Sequence, residues 1–354
     1  MADLWDNPMG TDGFEFVEYT GPDPQLLGAL FERMGFVAAA RHRSKNVTLY
    51  KQGDVNFILN AEPESFAQAF ARLHGPSVCA IAFRVKDAGA AYERAINLGA
   101  KPVHGKLGPM ELNIPAIEGI GGSLIYLVDR YGGQTIYDVD FVPLIAEKMP
   151  AGAGLAAIDH LTHNVHRGRM ALWAEFYERL FNFREVRYFD IEGQLTGLRS
   201  KAMTSPDGKI RIPINESADD KSQIAEYLEA YHGEGIQHIA LATADIYRTV
   251  EALRARQVGF MAVPETYYEA VDARLPGHGE DLARLKRDQI LIDGAPTQGQ
   301  GLLLQIFTET VIGPIFFEII ERKGNEGFGE GNFRALFESI ERDQIRRGVL
   351  SPAG

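Results

Sequence analysis

A chain of 354 residues that is 45% apolar and 24% charged has the composition of a soluble globular protein, long enough for two domains. Its formal charge of −12 and pI near 5.3 leave no basic footprint for nucleic acid; a small anionic ligand would need a local pocket of opposite sign. The single cysteine, Cys79, excludes an intrachain disulfide and fits a reducing, cytoplasmic setting. No apolar run approaches the ~18 residues of a membrane span, and MADLWDNPMG shows no basic segment leading into an apolar one, so neither a membrane partner nor a signal peptide is expected.

In chain order, FEFVEY from Phe14 predicts a strand, and LLGALFERMGF from Leu26 a helix. Ile81–Asp87 (IAFRVKD) precedes a helix-like stretch, AGAAYERAINLGAKPV, that ends near Gly99. The stretch from Ala146 to Gly154, AEKMPAGAG, is the best linker candidate and divides the chain into domains 1–150 and 151–354. Beyond it the order recurs. IDHLTHNV from Ile158 predicts a strand, ALWAEFYERLFNF from Ala171 a helix, and IALATAD from Ile239 precedes the helix-like IYRTVEALRARQVGFMAV, which ends near Gly259. Tyr268–Pro296, rich in charge, Gly and Pro, reads as surface loops. Phe316–Ile320 reads as a buried strand, Gly327–Gly331 as a flexible turn, and Asn332–Arg347 as a final helix. Phe333, Leu336, Phe337 and Ile340 recur on that helix at core-packing spacing; a lid is the functional alternative.

The match of IAFRVKD with IALATAD, and of the paired strands and helices around them, predicts an α+β chain of four strand–helix–strands units, two per half. Three residues then occupy corresponding places. His160 and His238 stand 78 residues apart in apolar strands, and Glu318 follows after 80 more. A buried carboxylate is costly without a cation or donor, and two imidazoles with one carboxylate form the facial triad of non-haem Fe(II) oxygenases. Alone, each histidine reads as a satisfied core residue, and Glu318 as a carboxylate paired with an arginine such as Arg322. Equivalent placement in successive modules is what joins them.

Strand alternation puts Ile158 and Thr162 on the face of His160, and Asp159 and Leu161 on the other; it turns Gln237 away from His238. His163 has the wrong parity to join His160, which disfavours a zinc cluster of His160, His163 and His166. Aligning the repeats sets Phe16 opposite His160 and Ala80 opposite His238, so the first half lacks the metal residues. Gly327–Gly331 lacks the G-x-x-x-x-G-K-[ST] of a phosphate loop.

Seven segments in order, DHLT from Asp159, IPINE from Ile212, KSQI from Lys221, GIQHIA from Gly235, LQIFT from Leu304, FEIIER from Phe317 and GFGEGNF from Gly327, resemble the bacterial type of the 4-hydroxyphenylpyruvate dioxygenase family, within the vicinal-oxygen-chelate superfamily. The resemblance covers most of the chain and is strongest in its second half. It implies two domains of paired βαβββ modules with open barrel-like sheets. It also implies Fe(II) on His160, His238 and Glu318, with 4-hydroxyphenylpyruvate and O2 converted to homogentisate and CO2. It gives Gln223, Gln237, Gln305 and Asn215 as polar catalytic groups, Gln305 acting on substrate positioning rather than metal loading. Ser200, Pro213, Phe307, Phe328 and Phe333 become substrate-binding positions, with Ser200 in divergent surroundings. A gating C-terminal helix and a homotetramer are implied as well. The 2-oxo acid belongs to the substrate, so no 2-oxoglutarate is expected. Three alternatives compete: a 4-hydroxymandelate synthase, which the IPINE segment and the Phe-rich end fit less well; an extradiol ring-cleaving dioxygenase, which would need an acid–base His or Tyr; and a metal-free binding protein on the same scaffold.

Overall fold

The computed structural model describes residues 3–105, 111–192, 197–217 and 222–336. The first module is β1 (Thr11–Thr20), α1 (Pro24–Arg33), β2 (Val37–His42), β3 (Val47–Gln52) and β4 (Val55–Asn60); α2 (Phe66–His74) leads to the next. The second is β5 (Ser77–Val85), α3 (Ala88–Asn97), β6 (Pro102–Val103), β7 (Ala116–Glu118) and β8 (Leu124–Val128), followed by α4 (Ile136–Asp140) and β9 (Phe141–Pro143). The third is β10 (Leu155–Val165), α5 (Met170–Phe181), β11 (Arg184–Glu192), β12 (Gly197–Thr204) and β13 (Arg211–Ser217), with α6 (Gln223–Tyr231) as connector. The fourth is β14 (Gly235–Thr243), α7 (Ile246–Ala255), α8 (Glu265–Glu269), α9 (Val271–Arg274), α10 (Leu282–Asp288), β15 (Leu291–Gly294), β16 (Leu302–Phe307) and β17 (Phe316–Lys323). A terminal helix is described over residues 330–336; the rest of the predicted Asn332–Arg347 helix, including Phe337 and Ile340, lies outside the described residues.

Each half curls into one mixed sheet, and the two sheets have the same order. The first runs β2-β3-β4-β1-β5-β8-β7-β6 with β9 added beside β2, and the second runs β11-β12-β13-β10-β14-β17-β16-β15. In each, the opening strands of the two modules pair antiparallel at the centre, and each pairs parallel with the last strand of its own module. The matched sequences IAFRVKD and IALATAD have a local cause. Both end in an N-cap aspartate: Asp87 accepts from the backbone N–H of Ala90 at 2.8 Å, and Asp245 from that of Arg248 at 3.0 Å. Each satisfies a donor that the first turn of α3 or α7 would otherwise leave without a partner.

One apolar core runs through both halves. Phe57 stacks on Phe317 at 5.8 Å, and Phe83 meets Phe181 edge-on at 5.3 Å. His74 stacks on Tyr231 at 4.6 Å, with its Nδ1 2.7 Å from the Tyr231 carbonyl oxygen. The segment 146–154 is irregular, as its composition predicts, but it is pinned at its end. The buried Gln52 amide donates to the Met34 carbonyl at 2.9 Å and accepts from the N–H groups of Ala153 and Leu155 at 2.6 and 3.2 Å.

Three local expectations are corrected. Tyr268–Pro296 is not a run of surface loops. It holds α9, α10, β15 and the end of α8, and Tyr268, Val271, Leu275, Leu285 and Ile290 are buried. The helices are too short for their periodicity to stand out from the charged residues between them. α7 ends at Ala255 with Arg256 as its C-cap, and the left-handed residue beyond it is Gln257 at φ +63°, not Gly259. The Gly327–Gly331 turn is closely packed rather than loose. A Cβ on Gly329, at φ +79°, would collide with the Gln305 amide, and one on Gly331 would collide with Asp293.

Removing the Gln52 amide leaves two buried N–H groups without an acceptor, a loss of about 1–3 kcal/mol. Gln52→Ala is therefore expected to lower the thermal unfolding midpoint by several degrees. An unchanged midpoint would show that the junction does not depend on this side chain.

Candidate metal centre

His160 stands on β10, His238 on β14 and Glu318 on β17, three adjacent strands at the centre of the second sheet. Ala240 lies opposite His160 on one side and Glu318 on the other, so these two ligand candidates share a row; His238 pairs with Thr162 one step along the same face. All three side chains are buried. His160 Nε2 lies 3.3 Å from His238 Nε2, and Glu318 Oε2 lies 3.2 and 3.3 Å from the two nitrogens. Among the described residues this is the one cluster of three such groups with its ligand atoms within 4.8 Å of one another.

Two β-bulges aim the histidines. Between Ile158 and His160 the ladder carries an extra residue on β10, Asp159; between Thr162 and His163 it carries one on β14, Gln237. A bulge re-aims side chains that strict alternation would turn away. Asp159 Oδ1 lies 2.8 Å from His160 Nδ1, and Gln237 Oε1 lies 2.9 Å from His238 Nδ1. A carboxylate and an amide oxygen can only accept. They therefore assign the proton of each ring to Nδ1 and turn both Nε2 lone pairs toward Glu318. The alternation argument that pointed Asp159 and Gln237 away from the histidines fails here because of the bulges.

Three acceptor atoms facing one another at 3.2–3.3 Å repel unless a cation lies among them. Right-angled ligation at about 2.1 Å places neighbouring donors about 3.0 Å apart, so the set fits one divalent ion, with open positions on the cavity side. Burial opposes ionisation of Glu318; without a cation among the three groups, protonation of the His160 and His238 rings would outweigh it and lower the Glu318 pKa. Burial also works against a charged His160, yet Glu318 and Asp159 raise its pKa; at His238 burial prevails and the pKa falls.

Arg322 does not pair with Glu318, the partner its sequence position suggests. Its guanidinium grips Asp159 with two hydrogen bonds of 2.8 Å, and it donates to the carbonyls of Asn325 and Gly327 at 2.9 and 2.7 Å. Burial opposes the charge on Asp159, but Arg322 and His160 hold its carboxyl well below the usual range. Asp159 and Arg322 are 163 residues apart, so no local sequence signal pairs them. Phe328 stands edge-on to the His160 ring at 5.4 Å, under the same guanidinium at 5.7 Å.

The triad opens into a cavity of about 450 Å³. Its lining includes every sequence-predicted site residue: Ser200, Pro213, Asn215, Gln223, Gln237, Gln305, Phe307, Phe328 and Phe333, with the three ligand candidates. Thr162 and Phe316 also line it and were not singled out as site residues. Thr162 Oγ1 lies 2.9 Å from His238 Nε2, and Phe316 stacks on the His238 ring at 4.9 Å. Gln305 lines the cavity and also touches a ligand candidate. Its Nε2 donates to Glu318 Oε1 at 3.0 Å, so it bears on the ligand set itself. His163 lies on the opposite face, fully buried, with Nε2 2.8 Å from the Tyr177 hydroxyl, while His166 is exposed. The three histidines of that run therefore do not converge.

Comparison with known proteins agrees with this geometry. Residues 5–142 match the family model "Hydroxyphenylpyruvate dioxygenase, HPPD, N-terminal", and residues 157–271 match the "Glyoxalase/Bleomycin resistance protein/Dioxygenase superfamily". The chain is 64% identical over 353 residues to hemolysin VllY of Vibrio vulnificus, covering 98% of this chain and 99% of that one. It is 60% identical over 355 residues to a 4-hydroxyphenylpyruvate dioxygenase of a Pseudomonas species, covering 99% of each. Among solved structures, a xylose isomerase-like TIM barrel/4-hydroxyphenylpyruvate dioxygenase fusion protein matches with a TM-score of 0.79 and 36% identity; the match covers 96% of this chain and 54% of that one.

Breaking a buried ion pair from one side costs about 3–5 kcal/mol, because the other charge stays buried. Arg322→Met should destabilise the fold by that order, and adding Asp159→Asn should recover much of the loss; denaturant unfolding of the single and double variants measures both. If the single variant is as stable as the parent, the pair is not holding Asp159. A second expectation concerns acid. Burial lowers the His163 pKa from its ordinary 6.5 to about 3. The unfolded chain therefore binds a proton that the folded one refuses, and His163's contribution to stability falls away as pH drops from about 6.5 toward 3, by at most about 1.4 kcal/mol per pH unit. His163→Leu should flatten that limb of the stability–pH curve, and an unchanged slope would assign the limb to other groups.

Proposed function

This chain belongs to the 4-hydroxyphenylpyruvate dioxygenase family, and on that premise we propose that its second-half cavity converts 4-hydroxyphenylpyruvate and O2 into homogentisate and CO2. The observation that carries the reading is a two-histidine, one-carboxylate set at the floor of a cavity that combines aromatic rings with polar groups.

We infer that His160, His238 and Glu318 hold Fe(II). Bound there, that ion supplies O2 activation and a chelation point for the 2-oxo acid carried by the substrate, leaving no role for 2-oxoglutarate. Asp159 and Gln237 keep both histidines in the ligating tautomer. Phe307, Phe328 and Phe333 offer an apolar wall for the aromatic ring and exclude water from the reacting centre. Gln237 and Gln305 are engaged with ligand residues, whereas Ser200, Asn215 and Gln223 make no side-chain hydrogen bond to another described residue. Ser200 and Asn215 are direct neighbours across β12 and β13. These three polar groups suit the phenol end, with Pro213 bounding the space beside them.

Residues 1–150 are read as a scaffold domain without metal and 151–354 as the catalytic domain. Phe16, Ala80 and Tyr126 stand where the other half has His160, His238 and Glu318, which supports that division. A cytoplasmic homotetramer is proposed with it, supported by the resemblance to bacterial members of the family.

The test is product identity. Protein loaded anaerobically with Fe(II), then given 4-hydroxyphenylpyruvate, O2 and ascorbate, should release homogentisate with matching CO2. 4-Hydroxymandelate would move the oxidised carbon, and neither product would sink the reading. Outer-shell changes alone typically cost about 10–100-fold in metal affinity or activity, so Glu318→Ala should lose more than that in turnover and fail to retain iron. Full iron content with near-normal turnover would remove Glu318 from the ligand set.

A further inference from the structure

Glu318 is tied to a line of hydrogen bonds that leads away from the metal centre. Its Oε1 accepts from Gln305 Nε2 at 3.0 Å; Gln305 Oε1 accepts from Asn332 Nδ2 at 2.8 Å; Asn332 Oδ1 accepts from the Tyr267 hydroxyl at 2.6 Å; the Tyr267 oxygen accepts from Arg274 Nη2 at 2.8 Å. Gln305, Asn332 and Tyr267 are each no more than 2% exposed.

The direction of this line is fixed by its ends. A guanidinium can only donate, and an ionised carboxylate can only accept. The Tyr267 oxygen takes a second donor, the N–H of Ile292 at 2.9 Å, so both lone pairs are engaged; its one proton faces Asn332 Oδ1 at 2.6 Å and the Ile292 carbonyl at 3.1 Å, and the shorter contact assigns it to Asn332. Asn332 must then present its oxygen to Tyr267 and its nitrogen to Gln305. Gln305 in turn can present only its nitrogen to Glu318. Hydrogen bonds aligned from a cation to an anion polarise one another. The backbone permits the approach because residue 329 is glycine: a Cβ there would occupy the place of Gln305 Oε1.

We propose that Tyr267 and Asn332 are positioning residues that lock Gln305 as a donor, so that Glu318 keeps Oε1 engaged and turns Oε2 to the metal. The inference rests on the metal-centre reading.

The test measures metal affinity, by chelator competition with Co(II), on the full-length parent and on Tyr267→Phe, Asn332→Ala and Asn332→Asp, in mildly alkaline buffer and without substrate. Tyr267→Phe should weaken binding about 10–100-fold, the usual effect of losing an outer-shell partner. Asn332→Asp, which keeps the volume, should bind metal more weakly than Asn332→Ala. Its carboxylate would draw the Gln305 N–H toward itself and turn the Gln305 oxygen onto Glu318. A residue that merely fills space would give the opposite order, and that order, or parent-like affinity in Asn332→Asp, overturns the proposal. Thermal unfolding confirms that the compared variants are folded. The two readings fail separately: a parent that binds Co(II) with the expected variant order but makes no homogentisate defeats the proposed reaction alone.

Discussion

The fold around the cavity answers to one constraint: three lone pairs must be held face to face, out of water, on groups that would otherwise part. Glu318 and the two imidazoles gain nothing from one another without a cation, and burial works against the charge on the carboxylate. The sheet supplies adjacent strands at its centre, where pairing on both sides leaves the backbone little freedom. A partner then fixes each ligand from behind: Asp159 holds His160, Gln237 holds His238, and Gln305 holds Glu318. Two of these partners are anchored in turn, Asp159 by Arg322 and Gln305 by Asn332. Both anchors reach the segment after β17, so the chain that leaves the third ligand returns to brace the first and third.

The bulges that aim the histidines do not depend on a metal. In the first sheet, β1 and β5 carry extra residues at the corresponding places, Glu15 between Phe14 and Phe16, and Cys79 between Ala80 and Val78. The irregular pairing therefore belongs to the way two modules meet, and the residues placed on it decide what the cup does. Phe16 and Tyr126 stand in the places of His160 and Glu318, with their rings 5.6 Å apart. Around them Ile136, Tyr137 and Phe141 form an apolar cluster in the first cup. Glu15, in the place of Asp159, takes a 2.6 Å hydrogen bond from Arg84, yet its burial lifts its pKa while that of Asp159 is held down. Asp159 has the two-pronged grip of Arg322 and an imidazole; Glu15 shares its arginine with Asp54.

Much of this was legible in the chain. Matched strand–helix patterns gave the four modules, and their alignment set Phe16 against His160 and Ala80 against His238, which is the register of the two sheets. The resemblance supplied the lining residues that periodicity could not. What stayed hidden has physical reasons. A bulge adds one residue and leaves no mark on composition, so alternation misplaced Asp159 and Gln237. Arg322 was visible as the nearest cation to Glu318 in sequence, but the ladder and the bulge bring Asp159 to it instead. Tyr267, Tyr268, Val271 and Leu275 form a buried stripe across two helical turns too short for periodicity to separate from a charged loop.

The glycine run after β17 shows how one feature can look like freedom and act as constraint. Gly329 and Gly331 leave room for Gln305 and for Asp293, which accepts the Gly331 N–H at 2.8 Å at the start of the terminal helix. Because the backbone sits against those side chains, Asn332 can reach Gln305 and Phe333 can reach the cavity from adjacent positions on one turn. The wall that faces the ligand and the prop that steadies Glu318 are therefore consecutive residues. A change that lifts this turn by the width of a methyl group would move both together, so the prop on Glu318 and one wall of the cavity are mechanically coupled at the start of this helix.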